Sequence, residues 1–231
     1  MNRQIDVATS LAATIAAFGG GLTVGEIGPR PEKPLHLYEF EACPFCRKVR
    51  EALTVLDLDA VIHPCPRGGP RFREEVRRKG GKAQFPYLVD PNTDQAMYES
   101  DDIIRYLASR YGTGKVPLSL SLGPVTMLRS TSASLWRPAR GRAYRPARAP
   151  EQPLELYSFE ASPFCRIVRE VLSELELPYL LHNVGKKSPK RPDFAARAGK
   201  VQVPYLVDPN TGQAMFESAD IVAYLNATYA T

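Results

Sequence analysis

Cys43-Pro44-Phe45-Cys46 is the stretch whose residue types and spacing can do covalent chemistry. An apolar, aromatic run from Leu37 to Phe40 precedes it, and Val49, Leu53 and Leu56 follow at helical spacing. The cysteines therefore sit in the turn between a strand and an amphipathic helix, at the first turn of that helix. A thiol there lies near the positive end of the helix dipole and near free backbone N–H groups. Both favour the thiolate, which is the nucleophile. Pro44 suits the first helical position, where a missing N–H costs nothing. The chemistry on offer is attack on a disulfide sulfur or an electrophile at Cys43, with Cys46 as a second thiol to resolve the intermediate. Arg47 and Lys48 follow directly and are expected to add exposed positive charge near the thiol.

The elements that must hold this turn can be read along the chain. The pattern predicts strand 35–40, helix 44–56, strand 60–63, a short charged helix 71–79 stopped by Gly80-Gly81, strand 87–90, a turn at 91–94, its hairpin partner 95–98, and helix 102–111 capped by Glu99-Ser100-Asp101. The same order then recurs. Residues 156–172 match 37–53 at 13 of 17 positions with an offset of 119, and 203–218 match 85–100 at 13 of 16 with an offset of 118. Two copies are too few for a solenoid, and each is a complete α/β unit. The expected organisation is residues 1–34 as an N-terminal helix and connector, 35–111 as a first domain, 112–153 as a helix and basic linker, and 154–231 as a second domain. Helices are expected over 8–18 and 118–135, one before each domain, where they could cover a contact between the two. The Arg- and Pro-rich segment 136–153 reads as an extended, poorly packed connector.

The net charge of +5, from 30 basic and 25 acidic residues, is concentrated in 112–152, where seven cations face a single Glu151. That describes a solvated segment rather than a nucleic-acid surface, and no specific nucleic-acid partner is expected. Four cysteines in 231 residues do not make a disulfide scaffold. A Cys-x-x-Cys in this context points to redox chemistry in a reducing compartment, hence a cytoplasmic location. The small apolar run from Val7 to Val24 is broken by Gly19-Gly20-Gly21 and too short to span a bilayer. It reads as a soluble helix, with an interfacial helix in contact with a membrane, or a signal peptide, as the alternatives. There is no Gly-rich phosphate loop, no paired-carboxylate site and no Ser-His-Asp arrangement.

Cys-Pro-Phe-Cys, Phe85-Pro86-Tyr87 and Glu99-Ser100, repeated as Ser162-Pro163-Phe164-Cys165, Val203-Pro204-Tyr205 and Glu217-Ser218, resemble the thioredoxin-like N-terminal domain of glutathione transferases. The first copy resembles a glutaredoxin equally well. The tandem is similar to proteins built from two such domains without the helical second domain of a transferase, and each copy resembles the soluble part of membrane-associated prostaglandin E synthase type 2.

That resemblance implies a fold of strand-helix-strand-helix-strand-strand-helix in each copy, glutathione as ligand, and an unidentified disulfide or electrophile as second substrate. It implies that Pro86 and Pro204 are cis, and that Phe85 and Val203 pair their backbones with the cysteinyl part of glutathione. Glu99-Ser100 and Glu217-Ser218 would receive the γ-glutamyl end. Cys43 and Ser162 would meet the glutathione sulfur. Taken alone, each Glu-Ser pair is a plain helix cap with an acidic first turn. The two copies would pack as a pseudo-twofold pair. Cys165, without a partner thiol, reads as an inert buried residue, and Cys65, His63 and His182 read first as structural. Three alternatives stay open: a non-catalytic glutathione-binding or scaffold protein, an iron–sulfur cluster held by Cys43 and glutathione, and zinc held by Cys43, Cys46, His63 and Cys65.

Overall fold

The computed structural model describes residues 3–16, 20–25, 27–121, 131, 137 and 139–231. Helix α1 (Arg3–Ala16) leads into β1 (Leu35–Glu39), α2 (Pro44–Val55), β2 (Ala60–Pro64), α3 (Phe72–Gly80), β3 (Tyr87–Asp90), β4 (Gln95–Met97) and α4 (Ser100–Tyr111). A short α5 (Leu118–Ser121) is followed by β5 (Leu154–Ser158), α6 (Pro163–Glu174), β6 (Tyr179–Asn183), α7 (Arg191–Ala198), β7 (Tyr205–Asp208), β8 (Gln213–Phe216) and α8 (Ser218–Tyr229). Each half is the thioredoxin-like α/β arrangement expected from the sequence. Helix α1 begins five residues before the expected 8–18, and most of the helix expected over 118–135 lies outside the described residues.

The eight strands form one sheet in the order β4-β3-β1-β2-β6-β5-β7-β8. Within each half the central pair is parallel, β1 with β2 and β5 with β6, and the remaining pairs are antiparallel. The halves join through β2 and β6, which run antiparallel with Val61 opposite Leu180. Those two residues are equivalent in the repeat, so the order reads alike from either edge. Leu35, Leu37, Leu53 and Ile62 of the first half and Leu154, Leu156, Leu172 and Leu177 of the second belong to one continuous apolar core. Burying a Leu side chain stabilises a fold by roughly 1.5–3 kcal/mol, so this shared core outweighs any single polar contact between the halves.

The segment expected to be a loose connector is instead packed, which corrects the reading of 136–153. Arg137 is buried, with Nε 2.5 Å from Glu170 and Nη2 2.9 Å from Asp6. Arg145 pairs with Glu174 at 3.0 Å, and Arg148 donates to the Thr228 carbonyl at 2.6 Å. The acidic partners lie on α6 and α1, outside the segment, so its own composition looked unbalanced. The backbone also clasps the first half, with a bridge between Arg67 and Ala143, while Thr23 ahead of the first half bridges Lys186 of the second. Gly21 (φ +76°) and Gly141 (φ +66°) are the turning points of these two clasps. A Cβ on Gly21 would lie 2.7 Å from that of Glu160, and one on Gly141 2.7 Å from that of Glu41. Only glycine takes this left-handed backbone readily and fits the space.

Candidate functional site

The turn after β1 ends on Cys43, which caps α2: its Sγ accepts from the Cys46 N–H at 3.3 Å, and Pro44 occupies the first helical turn. Cys43 retains 4% of its surface and Cys46 none. All four cysteines are free. Hydrogen bonding from the Cys46 thiol, together with the N–H groups of Cys46 and Phe45, pulls the Cys43 thiol below its ordinary range despite burial. Burial pushes Cys46 and Cys65 well above theirs, and Cys165 upward too. Cys43 is the one thiol of the four biased toward thiolate.

The backbone N–H groups act as expected, but the added charge of Arg47 and Lys48 does not. Arg47 and Lys48 are buried, not exposed, and point elsewhere: Arg47 pairs with Glu160 at 3.1 Å and Lys48 with Asp101 at 2.5 Å. They face the polar side of α2, which packs against other elements, while Cys43 sits at the helix end. The charge that does reach the thiol is Glu39, which works against ionisation of both Cys43 and Cys46. Burial, aided by Glu41 and Glu160, pushes Glu39 up to about 7 against the pull of Arg50.

The Phe85–Pro86 and Val203–Pro204 bonds are cis. Tyr38 pairs with Tyr87 in antiparallel register, which sets Phe85 beside Phe40, and the two rings meet edge-on at 6.2 Å. Arg73 covers the Phe85 ring at 4.8 Å. Glu99 and Glu217 precede α4 and α8 with φ of +63° and +67°, a backbone region that a side chain rarely adopts. Ser100 and Ser218 are the buried first residues of those helices. Gln84 donates to Glu99 at 2.6 Å and Gln202 to Glu217 at 2.6 Å. Sequence reasoning missed these two glutamines, although their recurrence one residue before each repeated block was a signal for them.

In the second half Ser162 caps α6 as Cys43 caps α2, its Oγ accepting from the Cys165 N–H at 3.2 Å. Val203, Pro204, Glu217 and Ser218 line one cavity of about 280 Å³ with Gln202 and the half-exposed Phe164. A backbone strand end, a helix N-terminus and a carboxylate around such a space suit a small zwitterionic peptide.

His63 stacks on Tyr38 at 4.4 Å and its Nε2 lies 2.9 Å from Nδ1 of His36. Cys65 packs with Tyr38, Val76 and Tyr87. His182 stacks on Tyr157 and lies within 3.3 Å of Asp59 and 3.2 Å of Glu155. Among the described residues no group of three or more His, Cys, Asp or Glu side chains could hold a metal ion, so Cys43, Cys46, His63 and Cys65 do not converge as the zinc alternative required. Nor is any helix among them long and apolar enough to cross a membrane.

Fold and site together define a thioredoxin-like protein with a cysteine-capped helix and a cis-proline ahead of its third strand. The family profile described as glutathione S-transferase, N-terminal domain, matches residues 37–115 and again 156–231. The matches cover well over half of the sequence, and the chain belongs to that family. A curated relative, the glutathione S-transferase-like protein tpcF of Aspergillus fumigatus, is 35% identical over 78 residues, which are 34% of each protein. The chain thus spans about a third of that relative's length. A solved structure of Leishmania TDR1, described as a unique trimeric glutathione transferase, aligns over 86% of this chain and 67% of its own at 15% identity. Its TM-score of 0.30 is too low to add to the fold assignment.

Proposed function

We propose that the chain binds glutathione and carries out glutathione-dependent thiol–disulfide exchange or transfer at Cys43. The observation that carries this reading is that Cys43, alone of the four thiols, is shifted toward thiolate, at a helix N-terminus. In the exchange, Cys43 thiolate attacks the glutathione sulfur of a mixed disulfide. A Cys43–glutathione disulfide forms and the other thiol leaves as thiolate, taking a proton from solvent. A second glutathione thiolate then attacks the bound glutathione sulfur and releases Cys43 as thiolate with oxidised glutathione. Alternatively Cys46, after losing its proton, attacks the Cys43 sulfur and releases glutathione, leaving a Cys43–Cys46 disulfide.

Glutathione would lie with its cysteinyl backbone along Phe85-Pro86 and its γ-glutamyl end at Glu99-Ser100, Gln84 holding the Glu99 carboxylate in place. The second half has the equivalent set in Val203, Pro204, Glu217 and Ser218 around its cavity, with Ser162 for the nucleophile. It would bind glutathione without a mixed disulfide. We read residues 35–111 and 154–231 as two domains fused as a pseudo-dimer, in which 1–34 and 112–153 serve as clasps. The second substrate is a disulfide or an electrophile.

Turnover of a small glutathione mixed disulfide by the intact chain and by Cys43→Ser tests the reading. Loss of turnover in the variant supports it, and retained turnover rejects it.

A further inference from the structure

The contact between the halves buries a charged cluster whose members recur at the repeat offset of 119. Arg50 meets Glu160 at 2.9 Å and Glu41 at 3.2 Å; Arg169 meets Glu41 at 3.0 Å and Glu160 at 3.0 Å. Those two arginines are satisfied. The pair one turn earlier, Arg47 and Arg166, is not. Both side chains are only 4% exposed. Arg47 reaches Glu160 through Nη1 alone, and Arg166 comes no nearer to Glu41 than 4.0 Å. Nε and Nη2 of both are buried without a hydrogen-bond partner.

Four orphaned guanidinium N–H positions in one place are costly. Each buried donor left unpaired loses its hydration without recompense, and the loss is larger when it carries charge. Arginine cannot escape by losing its proton as lysine can. Burial, followed by the charge of Arg47, draws Arg166 down to about 9, which marks the two as facing like charges. Both line a cavity of about 20 Å³, with Arg137, Arg140, Glu41 and Glu170 on its walls. The two carboxylates are already committed, Glu41 to Arg169 and Arg50, Glu170 to Arg137.

We propose that this cavity is a chloride site in which Arg47 and Arg166, one from each half, hold a single halide through Nε and Nη2. A space of this size admits about one water or one monatomic anion and excludes phosphate or a carboxylate ligand. A water offers two acceptor lone pairs to four donors and no charge to set between two cations. A halide accepts from all four and removes the repulsion. Because its ligands come from both halves, the ion binds only their assembled form and stabilises it by mass action. The proposal is independent of the glutathione reading.

Thermal unfolding of the intact chain at constant ionic strength, with chloride exchanged for methanesulfonate, reads this directly. The midpoint should rise with chloride and level off, bromide should act alike, and Arg166→Met should weaken the apparent chloride affinity at least tenfold. A bromide-soaked crystal should show an anomalous peak between Arg47 and Arg166, a readout that needs no variant. Equal midpoints in chloride and methanesulfonate, a chloride response unchanged in Arg166→Met, or a water in place of the bromide peak would each overturn the site.

Discussion

The two halves agree wherever a tripeptide would be held and differ where a charge or a thiol would act. Pro86 and Pro204, Glu99 and Glu217, Ser100 and Ser218, and Gln84 and Gln202 are equivalent, down to the same left-handed backbone at the glutamates. Against that, Cys43 faces Ser162, Glu39 faces Ser158, Lys48 faces Ile167, and His36 faces Glu155. The first half keeps a buried carboxylate under its thiols. The second substitutes a hydroxyl that Arg169 donates to at 3.2 Å. On the proposed reading the glutathione-holding residues recur in both halves and the reactive thiol in one, and the charges beneath the two turns differ as well.

The largest effect expected from this contrast is on turnover. Cys43→Ser should lower exchange by at least about a hundredfold, because a serine hydroxyl without a base is no nucleophile. Ser162→Ala should leave turnover within about twofold. Mass spectrometry after oxidised glutathione should place the adduct on Cys43 or Cys46 and none on Cys165. An adduct chiefly on Cys165, or equal losses in both variants, would erase the division between the halves.

Next in size is the contact between the halves. Arg50 serves Glu39, Glu41 and Glu160, while Arg169 serves two carboxylates and Ser158. Removing one partner of a buried charge network costs about 3–5 kcal/mol because the others stay buried and unpaired. Arg50→Met should therefore lower the denaturant midpoint sharply, and more than Arg169→Met, since it takes a partner from three carboxylates rather than two and leaves Glu39 without its ion pair. The opposite ranking would mean that Glu39 is already protonated at neutral pH and asks little of Arg50.

This network is also where sequence reading fell short. The capped helix, the two proline turns and the strand order were legible because each is written locally, in aromatic runs, a helical stripe of Val49, Leu53 and Leu56, and turn residues. On α2 the neighbouring charges Arg47 and Lys48 read as exposed, yet both are buried, together with Arg50, Glu51 and Thr54 of the same helix. Arg47 and Arg50 reach Glu160, and Thr54 reaches Asn183, more than a hundred residues away, and periodicity says which side of a helix is polar, not whether water or another domain covers it. The same blindness made the arginines of 136–153 look like a loose linker. Gly21 and Gly141 carried a usable hint, since glycine recurs at equivalent points of two otherwise unlike segments.

A smaller contrast concerns acid. Burial, then the neighbouring His36 charge, lowers His63 to about 4, whereas its counterpart His182 lies between Asp59 and Glu155. An unfolded histidine titrates near 6.5, so the unfolded chain binds the proton first as pH falls. The stability tied to a neutral His63 is present above about 6.5 and is lost as pH drops toward 4, to a limit of roughly 3 kcal/mol at about 1.4 kcal/mol per pH unit. His63→Gln should flatten the stability profile between those values, measured by denaturant unfolding. An unchanged slope would place the acid sensitivity elsewhere.

The finest test rebuilds the missing thiol. Ser162→Cys gives the second half a dithiol on a helix with the same cap, the same proline and the same backbone donor from Cys165. What it lacks is Glu39, whose charge opposes ionisation of Cys43, because Ser158 stands there. If the carboxylate rather than the helix end sets the difference, the new thiol ionises at a lower pH than Cys43. It should then alkylate about two- to fivefold faster at pH 7, where the thiolate fraction governs the rate. Glu39→Ser should move Cys43 the same way, bringing the two alkylation profiles together. Should the new thiol and Cys43 share one pH profile with Glu39 intact, the buried carboxylate would be no part of what separates the halves. Their difference would then reduce to a single sulfur atom.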